Sequence, residues 1–205
     1  MDDSYPVPGA TGRFEEVIRR SRFVSCAGRA ASRESALGFV QSVRDRFPGA
    51  THYCWAFNAG PPGSTARIGA SDDGEPRGTA GAPILTAVLH SGVGEVVVVC
   101  ARYYGGVKLG TGGLARAYAR GAKGALAACP TERKVNRVPV LVTVPWEASG
   151  RIDPILRKLD AQIVGRDFGT DVRYRIRVPV VNSSRLRAAV AAATGGRGRV
   201  EDSCE

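Results

Sequence analysis

Residues 96–118 read VVVVCARYYGGVKLGTGGLARAY, and this stretch decides the fold of the first half of the chain. The β-branched run Val96–Val99 predicts a strand that is buried within a sheet. A helix is predicted from about Leu114 to Ala128, because Cys129-Pro130 ends the pattern. The loop between them belongs to a segment, residues 74–113, that holds ten of the 26 glycines.

The start of this helix favours an anion-binding loop. A helix N-terminus presents backbone N–H groups and the positive end of the helix dipole, and glycine lets a ligand approach them closely. The alternative is a loop whose glycines serve folding alone. The residues that would bind the anion are three basic side chains and three glycines: Arg102, Lys108, Arg116, Gly110, Gly112 and Gly113.

Two nucleotide-binding motifs are excluded. Residues 110–115 fit the loose dinucleotide pattern G-x-G-x-x-A, but the strand is predicted to end near Ala101, eight residues too early for the tight turn. No second strand ending in an acid follows the helix, and G-x-x-x-x-G-K-[ST] does not occur. We therefore expect no cofactor.

The segment upstream predicts a hairpin and a helix that packs on a sheet. Two short strand patterns, Phe14–Ile18 and Phe23–Ala27, flank a basic turn. Ser32 is a helix N-cap residue, and apolar residues then recur at helical spacing until Pro48-Gly49. Thr51–Asn58 follows as a strand with alternating faces.

That strand places His52 and Cys54 on one face, with Ala56, and Tyr53, Trp55 and Phe57 on the other. The pair invites a metal or nucleophile interpretation. Zinc sites need about four ligands, and the other histidine, His90, has no cysteine at ligand spacing. We expect a packed strand face, no metal site and no catalytic residue.

Three carboxylates lie within four residues, at Asp72, Asp73 and Glu75, ahead of a helix predicted over Ala82–His90. An acid pair could bind a metal or act as acid and base, although the spacing of a calcium EF-hand is absent. The alternative is a tight turn whose acids stabilise the start of the helix.

A new pattern begins after residue 130. A charged connector, Glu132-Arg133-Lys134, leads into alternating strands and helices. A further strand near residues 199–201 would complete the unit. This β-α-β-β-α order is the split βαβ arrangement of ferredoxin-like domains, so we divide the chain into domains 1–130 and 131–205. The predicted elements are strand Val138–Val144, helix Ile152–Leu159, strands Ile163–Phe168 and Val172–Val180, and helix Leu186–Ala193.

The strand over 171–181 alternates without a break. Its apolar residues face one way, whereas Arg173, Arg175 and Arg177 face the other. In a split βαβ unit both helices cover one face, so the arginines should lie about 6–7 Å apart on the open face. That row suits the phosphates of a nucleic-acid strand, and the alternative is a solvated sheet face.

Composition narrows the function classes. The chain has 205 residues and a net charge of +10, which attracts polyanions. Its five scattered cysteines form no disulfide framework or zinc ribbon, so we expect reduced, mostly buried thiols. No apolar run approaches a membrane span, and the acidic, proline-broken N-terminus lacks a secretion signal. We expect a cytoplasmic protein.

Three segments in this order resemble the YigZ/IMPACT family: the strand motif at Thr51–Ala56, Asp73–Pro83 with its Gly-Thr-Ala-Gly core, and Arg102–Tyr118. Tyr104 and Arg77 differ from the usual family residues at those positions. The resemblance implies an α+β protein: a β/α sandwich like domain 2 of ribosomal protein S5, then a ferredoxin-like domain similar to the fifth domain of elongation factor G. Both relatives work on ribosomes, and eukaryotic members of the family are regarded as translational regulators.

Two functional hypotheses follow. The first is a cytoplasmic regulator of translation that binds RNA or ribosome phosphates non-specifically through the open-face arginines and the glycine loop. The second is a hydrolase-type enzyme on a small anionic substrate, in which Asp73 and Glu75 would lie near His52 and Lys108. A protein adaptor is a third option, a protein partner remains possible in each case, and the oligomeric state is left open.

Overall fold

The computed structural model describes residues 4–203 and divides the chain into two compact units. The first is Tyr5–Lys134, and the second begins at Val135. The first unit contains the glycine-rich motifs, and the second contains the arginine row.

The first unit is built on a five-stranded antiparallel sheet in the order β2-β3-β6-β4-β5. A separate two-stranded sheet pairs β1 with β7. The strands are β1 Ser4–Pro8, β2 Gly12–Ile18, β3 Ser21–Arg29, β4 His52–Asn58, β5 Ile68–Ser71, β6 Val96–Tyr103 and β7 Thr131–Val135; the helices are α1 Arg33–Arg46, α2 Gly81–Leu89 and α3 Thr111–Ala127.

Helices cover both faces of the five-stranded sheet. Val96 and Val98 of β6 belong to the core beneath α2 and α3, whereas Val97 and Val99 belong to the core beneath α1. Because β6 is buried on both faces, its sequence is apolar throughout rather than alternating. The predicted alternation of β4 is confirmed, since Cys54 lies in the first core and Tyr53 in the second.

Local signals in the sequence explain the neighbouring elements. The predicted hairpin is confirmed as β2 and β3, which pair from Gly12 with Ala27 to Ile18 with Ser21. Helix α1 begins after Ser32, whose side chain forms a reciprocal capping box with Ser35.

Charged residues form a strand where the sequence predicted a connector. Glu132-Arg133-Lys134 lies in β7, so that prediction is wrong. Glu95 is buried and carries a charge that needs compensation; Lys134 donates to it, and Arg29 lies 3.5 Å away. These contacts and the pairing with β1 order a segment whose own sequence has little strand character.

The second unit is a four-stranded antiparallel sheet in the order β11-β8-β10-β9. Helices α4 and α5 pack on one face over a core that contains Val142, Ile152, Ile176 and Leu186. The predicted ferredoxin-like order and its closing strand are confirmed, and so is the α+β fold class. The elements are β8 Arg137–Pro145, α4 Ser149–Lys158, β9 Gln162–Phe168, β10 Asp171–Pro179, α5 Ser183–Thr194 and β11 Arg199–Asp202.

The four cysteines within the described part of the chain are buried and unbridged, as expected: Cys26, Cys54, Cys100 and Cys129. Cys204 lies outside the described residues. Across residues 4–203, no helix combines the length and apolar character needed to cross a bilayer.

The close packing of α3 on the sheet predicts opposite effects for one substitution at two glycines. A Cβ at Gly12 would lie 2.3 Å from the backbone oxygen of Ala125, whereas one at Gly38, on the exposed side of α1, would meet nothing within 4 Å. Gly12→Ala should lower the free energy of unfolding by about 1–3 kcal/mol, and Gly38→Ala should raise it by up to about 1 kcal/mol. Calorimetric unfolding of both variants checks this, and equal effects would contradict the packing.

Candidate functional site

Asp72 serves the start of α2. Its carboxylate accepts hydrogen bonds from the backbone N–H groups of Gly78, Ala80 and Gly81, at 2.8, 3.0 and 2.8 Å. Burial alone would raise the pKa of Asp72, but these hydrogen bonds outweigh it and hold the pKa below its ordinary value. This acid stabilises the turn and the helix start, in agreement with the structural alternative for the acidic segment.

Asp73 is also occupied by structural contacts. One carboxylate oxygen lies 2.8 Å from the Arg44 guanidinium, and the other accepts from the backbone N–H of Tyr53 at 2.7 Å. Its backbone oxygen lies 2.8 Å from Nδ1 of His52. Because a carbonyl only accepts, His52 carries its proton on Nδ1 when neutral, which leaves Nε2 as an acceptor.

Glu75, Arg102 and Tyr118 form a buried charge cluster. Oε1 of Glu75 accepts from Nη1 of Arg102 at 2.6 Å and from the Tyr118 hydroxyl at 2.7 Å. Glu75 and Arg102 are 8% and 5% exposed, so each charge depends on the other. Burial raises the pKa of Tyr118 above its ordinary value, which keeps its hydroxyl protonated and able to donate to Glu75.

The Arg102 guanidinium is held on its other sides as well. It lies 5.5 Å from the centre of the Phe23 ring and 5.4 Å from that of Tyr104. Nη2 donates to the Ser21 hydroxyl at 3.3 Å, but Nε has no hydrogen-bond partner among the described residues.

These groups open onto a cavity of about 510 Å³, here called the α3 cavity. It lies at the first turn of α3 and is bounded by residues from β4, the acidic turn, β6 and the glycine-rich loop. Its lining consists of Thr51, His52, Glu75, Pro76, Arg102, Tyr104, Lys108, Leu109, Gly110, Thr111 and Leu114.

Helix α3 begins at this cavity without a side-chain cap. Gly110 is the N-cap residue, with a φ of 74° that favours glycine, and the first turn contains no acid. The first backbone N–H groups therefore have no intrahelical acceptor and face no competing carboxylate in that turn. Arg116 lies beside this turn, because its guanidinium is 3.5 Å from the position of a Cβ at Gly112.

The structure brings five of the predicted residues to one cavity: His52, Glu75, Arg102, Lys108 and Gly110. The Asp73 carboxylate is turned toward Arg44 instead. Gly113 and Arg116 line a smaller pocket of about 220 Å³ together with Arg19 and Arg120. Arg102 was expected to offer its charge to a surface anion, but its side chain is buried and that charge is balanced by Glu75.

Two residues of the site were not anticipated: Tyr104, which lines the cavity, and Tyr118, which belongs to the buried charge cluster beside it. Tyr118 follows Leu114 by four residues, so helical spacing could have placed it on the buried face of α3. Its contact with Glu75 spans 43 positions and has no local signal in the sequence.

The second unit displays the arginine row as the alternation predicted. Arg173, Arg175 and Arg177 are exposed, and the residues between them are buried. Both helices pack on the opposite face. The register places Arg199 on the same face through Thr143, and three acids lie at its edges: Asp167, Asp171 and Glu201.

Two kinds of site that the sequence raised, a reactive cysteine at Cys54 and a metal centre, find no support among the described residues. Burial raises the pKa of Cys54 above its ordinary value and that of Cys100 to about 12, so neither is a ready thiolate nucleophile. Over residues 4–203, no group of three or more histidine, cysteine, aspartate or glutamate side chains is arranged to hold a metal ion.

Comparison with known proteins yields two family matches. The Impact N-terminal domain matches residues 19–126, and a domain of unknown function, DUF1949, matches residues 142–197. The chain is 38% identical over 189 residues to the IMPACT family member YigZ of Escherichia coli, covering 92% of this chain and 93% of YigZ. It is 42% identical over 163 residues to an IMPACT family member of Thermus thermophilus, covering 80% and 87%.

A crystal structure of a protein described only as hypothetical shares 36% identity with the chain. It covers both chains completely with a TM-score of 0.75.

The buried cluster predicts a large cost for removing one charge. Glu75→Gln should lower the free energy of unfolding by about 3–5 kcal/mol, because the Arg102 charge would be left uncompensated. Glu15→Gln is the matched control: Glu15 pairs with Arg22 at the surface, so its loss should change stability little. Thermal unfolding of both variants measures the difference, and equal losses would show that the buried pair is not special.

The shielded thiols predict slow alkylation of the folded protein. At pH 8, iodoacetamide should leave Cys54 and Cys100 largely unmodified, because burial disfavours both thiolates and limits access. Peptide mapping by mass spectrometry checks each site, with urea-unfolded protein as the control. Rapid labelling of Cys54 in the folded state would contradict the described packing.

Proposed function

The chain belongs to the IMPACT family, and from this premise we propose that it is a cytoplasmic, ribosome- or RNA-associated protein that regulates translation. It binds phosphate backbones with little sequence preference. Family membership supports the translational role, and the charge distribution supports the ligand. The observation that carries the proposal is the arginine row on β10.

The geometry of the row suits an extended polyanion. Exposed arginines at every second position lie about 6–7 Å apart along a strand. They stand on a face that no helix of the second unit covers. Guanidinium groups bind phosphate oxygens through paired N–H donors, and such contacts carry no sequence information.

The side chain of Arg175 extends over the neighbouring strand β9. Its guanidinium lies across Gly165, where a Cβ would come within 2.7 Å, and it approaches Asp167 at 3.6 Å. Both side chains of this pair are about 60% exposed, so solvent weakens the attraction. A phosphate can therefore replace the carboxylate at little cost.

The first unit adds basic groups of its own. Arg19 and Arg20 form the two-residue turn of the β2–β3 hairpin, both with positive φ, at 44° and 66°. Turns of this kind favour asparagine and glycine. Arginine at both positions therefore lowers the stability of the hairpin, which folding alone does not explain. Arg19 shares its pocket with Arg116, which extends the basic surface around the first turn of α3. The third arginine of that pocket, Arg120, is paired with Glu16.

The arginine row predicts that RNA binding depends on the position of the basic residues and not only on their number. Replacing Arg173, Arg175 and Arg177 by alanine should weaken binding of a short single-stranded RNA at least tenfold. It should also reduce the salt slope by about 2, at about 0.7 per lost phosphate contact. Fluorescence anisotropy across a salt series, and cosedimentation with ribosomes, measure both quantities.

The matched control is a triple alanine variant of Arg151, Arg157 and Arg185. These exposed residues lie on α4 and α5 and carry the same total charge. It should retain the slope of the parent protein. Equal losses in the two triple variants would reduce the effect to net charge and remove the open face from the mechanism.

A second candidate function is a hydrolase-type enzyme on a small anionic substrate. The observation that favours it is the convergence of His52, Glu75 and Lys108 on the α3 cavity. His52 offers Nε2 as a base, and Lys108 offers a positive charge to an anion. Release of phosphate from AMP, and its loss in His52→Ala, tests this function.

A further inference from the structure

We propose that the α3 cavity binds a nucleoside monophosphate group, either as a free mononucleotide or as the phosphorylated end of an RNA chain. The inference takes its site from the second candidate function and rests on it for the location, but it concerns binding rather than turnover. A nucleoside monophosphate is a different ligand from the RNA phosphate backbone that we propose for the arginines of β10.

The charge balance of the cavity selects an anion. Among its lining residues, Glu75 is the one acid, and its charge is already balanced by Arg102 at 2.6 Å. Lys108 is exposed and has no ion-pair partner within residues 4–203. Its charge and the positive end of the α3 dipole therefore remain uncompensated.

The cavity also holds donors without acceptors. The first backbone N–H groups of α3 have no side-chain cap. Such donors are satisfied by water or by a bound ligand, and Lys108 adds a charged donor beside them. A phosphate offers several acceptor oxygens to donors that converge from different directions.

The remaining lining suits the organic part of a nucleotide. A volume of about 510 Å³ exceeds what a phosphate alone needs and falls within the range of small-ligand sites. Tyr104 is 47% exposed, lines the cavity, and is anchored by its backbone N–H to the Thr51 hydroxyl at 3.2 Å. Exposed aromatic rings stack on nucleobases, and Leu109 and Pro76 add apolar surface beside it.

His52 supplies the complementary acceptor. Its Nδ1–H is committed to the Asp73 carbonyl, so the neutral ring offers Nε2 to a donor. A ribose hydroxyl is such a donor, whereas the dianionic phosphate group of a nucleotide is not. The cavity thus combines donors for a phosphate, an acceptor for a sugar and an aromatic ring for a base.

Isothermal titration calorimetry on the full chain tests the proposal with four probes: AMP, ribose 5-phosphate, inorganic phosphate and adenosine. AMP should bind with one-to-one stoichiometry, and adenosine should bind at least about tenfold more weakly because charge-assisted hydrogen bonds are lost. Lys108→Ala should weaken AMP binding by a similar factor. Tyr104→Ala should reduce AMP affinity to that of ribose 5-phosphate.

Each cavity variant has a matched control outside the cavity. His52→Ala should weaken AMP binding, but His90→Ala should not, although both rings contact a backbone carbonyl through Nδ1. Lys123→Ala controls for Lys108→Ala, because it removes an exposed lysine from α3 without touching the cavity. Absence of saturable AMP binding, equal affinity for AMP and adenosine, or an unchanged Lys108→Ala variant would overturn the proposal.

Two further arms separate this proposal from the functions above. The affinities of RNA with a 5′-phosphate and of RNA with a 5′-hydroxyl are measured for the triple alanine variant of β10. In this variant the proposed contacts with the internal phosphates of the RNA are weakened. A preference for the phosphorylated end identifies RNA as the source of the ligand, and AMP binding without that preference identifies a free mononucleotide. Phosphate release from AMP that depends on His52 supports the enzyme, whereas binding without release overturns the enzyme alone.

Discussion

The hydrogen-bonded ion pair between Glu75 and Arg102 is the constraint on which the first unit depends. It joins the acidic turn to β6, and through the Tyr118 hydroxyl it joins both to α3. Two charges that are each more than nine-tenths buried can persist only if the three segments stay together. The glycines around them follow from the same demand, because backbone must approach backbone closely. At Gly105, for example, a Cβ would lie 2.0 Å from the carbonyl oxygen of Arg20.

This pair also sets the charge balance of the neighbouring cavity. If Glu75 were free, the lining would contain a carboxylate that repels anions. Because Arg102 neutralises it, the field in the cavity is set by Lys108 and by the uncapped start of α3. One buried contact therefore bears both on the stability of the fold and on the ligand that we propose for the cavity. Its energetic role in folding and its electrostatic role in the cavity are separable, since Lys108 is exposed and contributes to the second role alone.

The elements that the sequence predicts well are those with strong local periodicity. The hairpin, the capped helix α1, the buried strand β6 and the whole order of the second unit follow from patterns within ten to twenty residues. Strands β1 and β7 do not, because a charged segment is ordered there by the distant Glu95. For the site, the motifs indicate which residues matter but not their roles. Arg102, Lys108 and Arg116 look equivalent in sequence, yet β6 buries the first, the loop exposes the second and the outer side of α3 carries the third.

The two surfaces that we propose for anion binding, one in each unit, differ in shape. The row on β10 is flat and periodic, with acids at its edges, so it suits a repeating chain of phosphates whose individual contacts are weak and exchangeable. The α3 cavity is concave and finite, with a few converging donors, so it suits a single group that has an end. A chain of internal phosphates cannot enter such a cavity without bending sharply, whereas a terminal phosphate can. Under these two proposals, the shape of each surface separates the two ligands, which the basic charge common to both units does not.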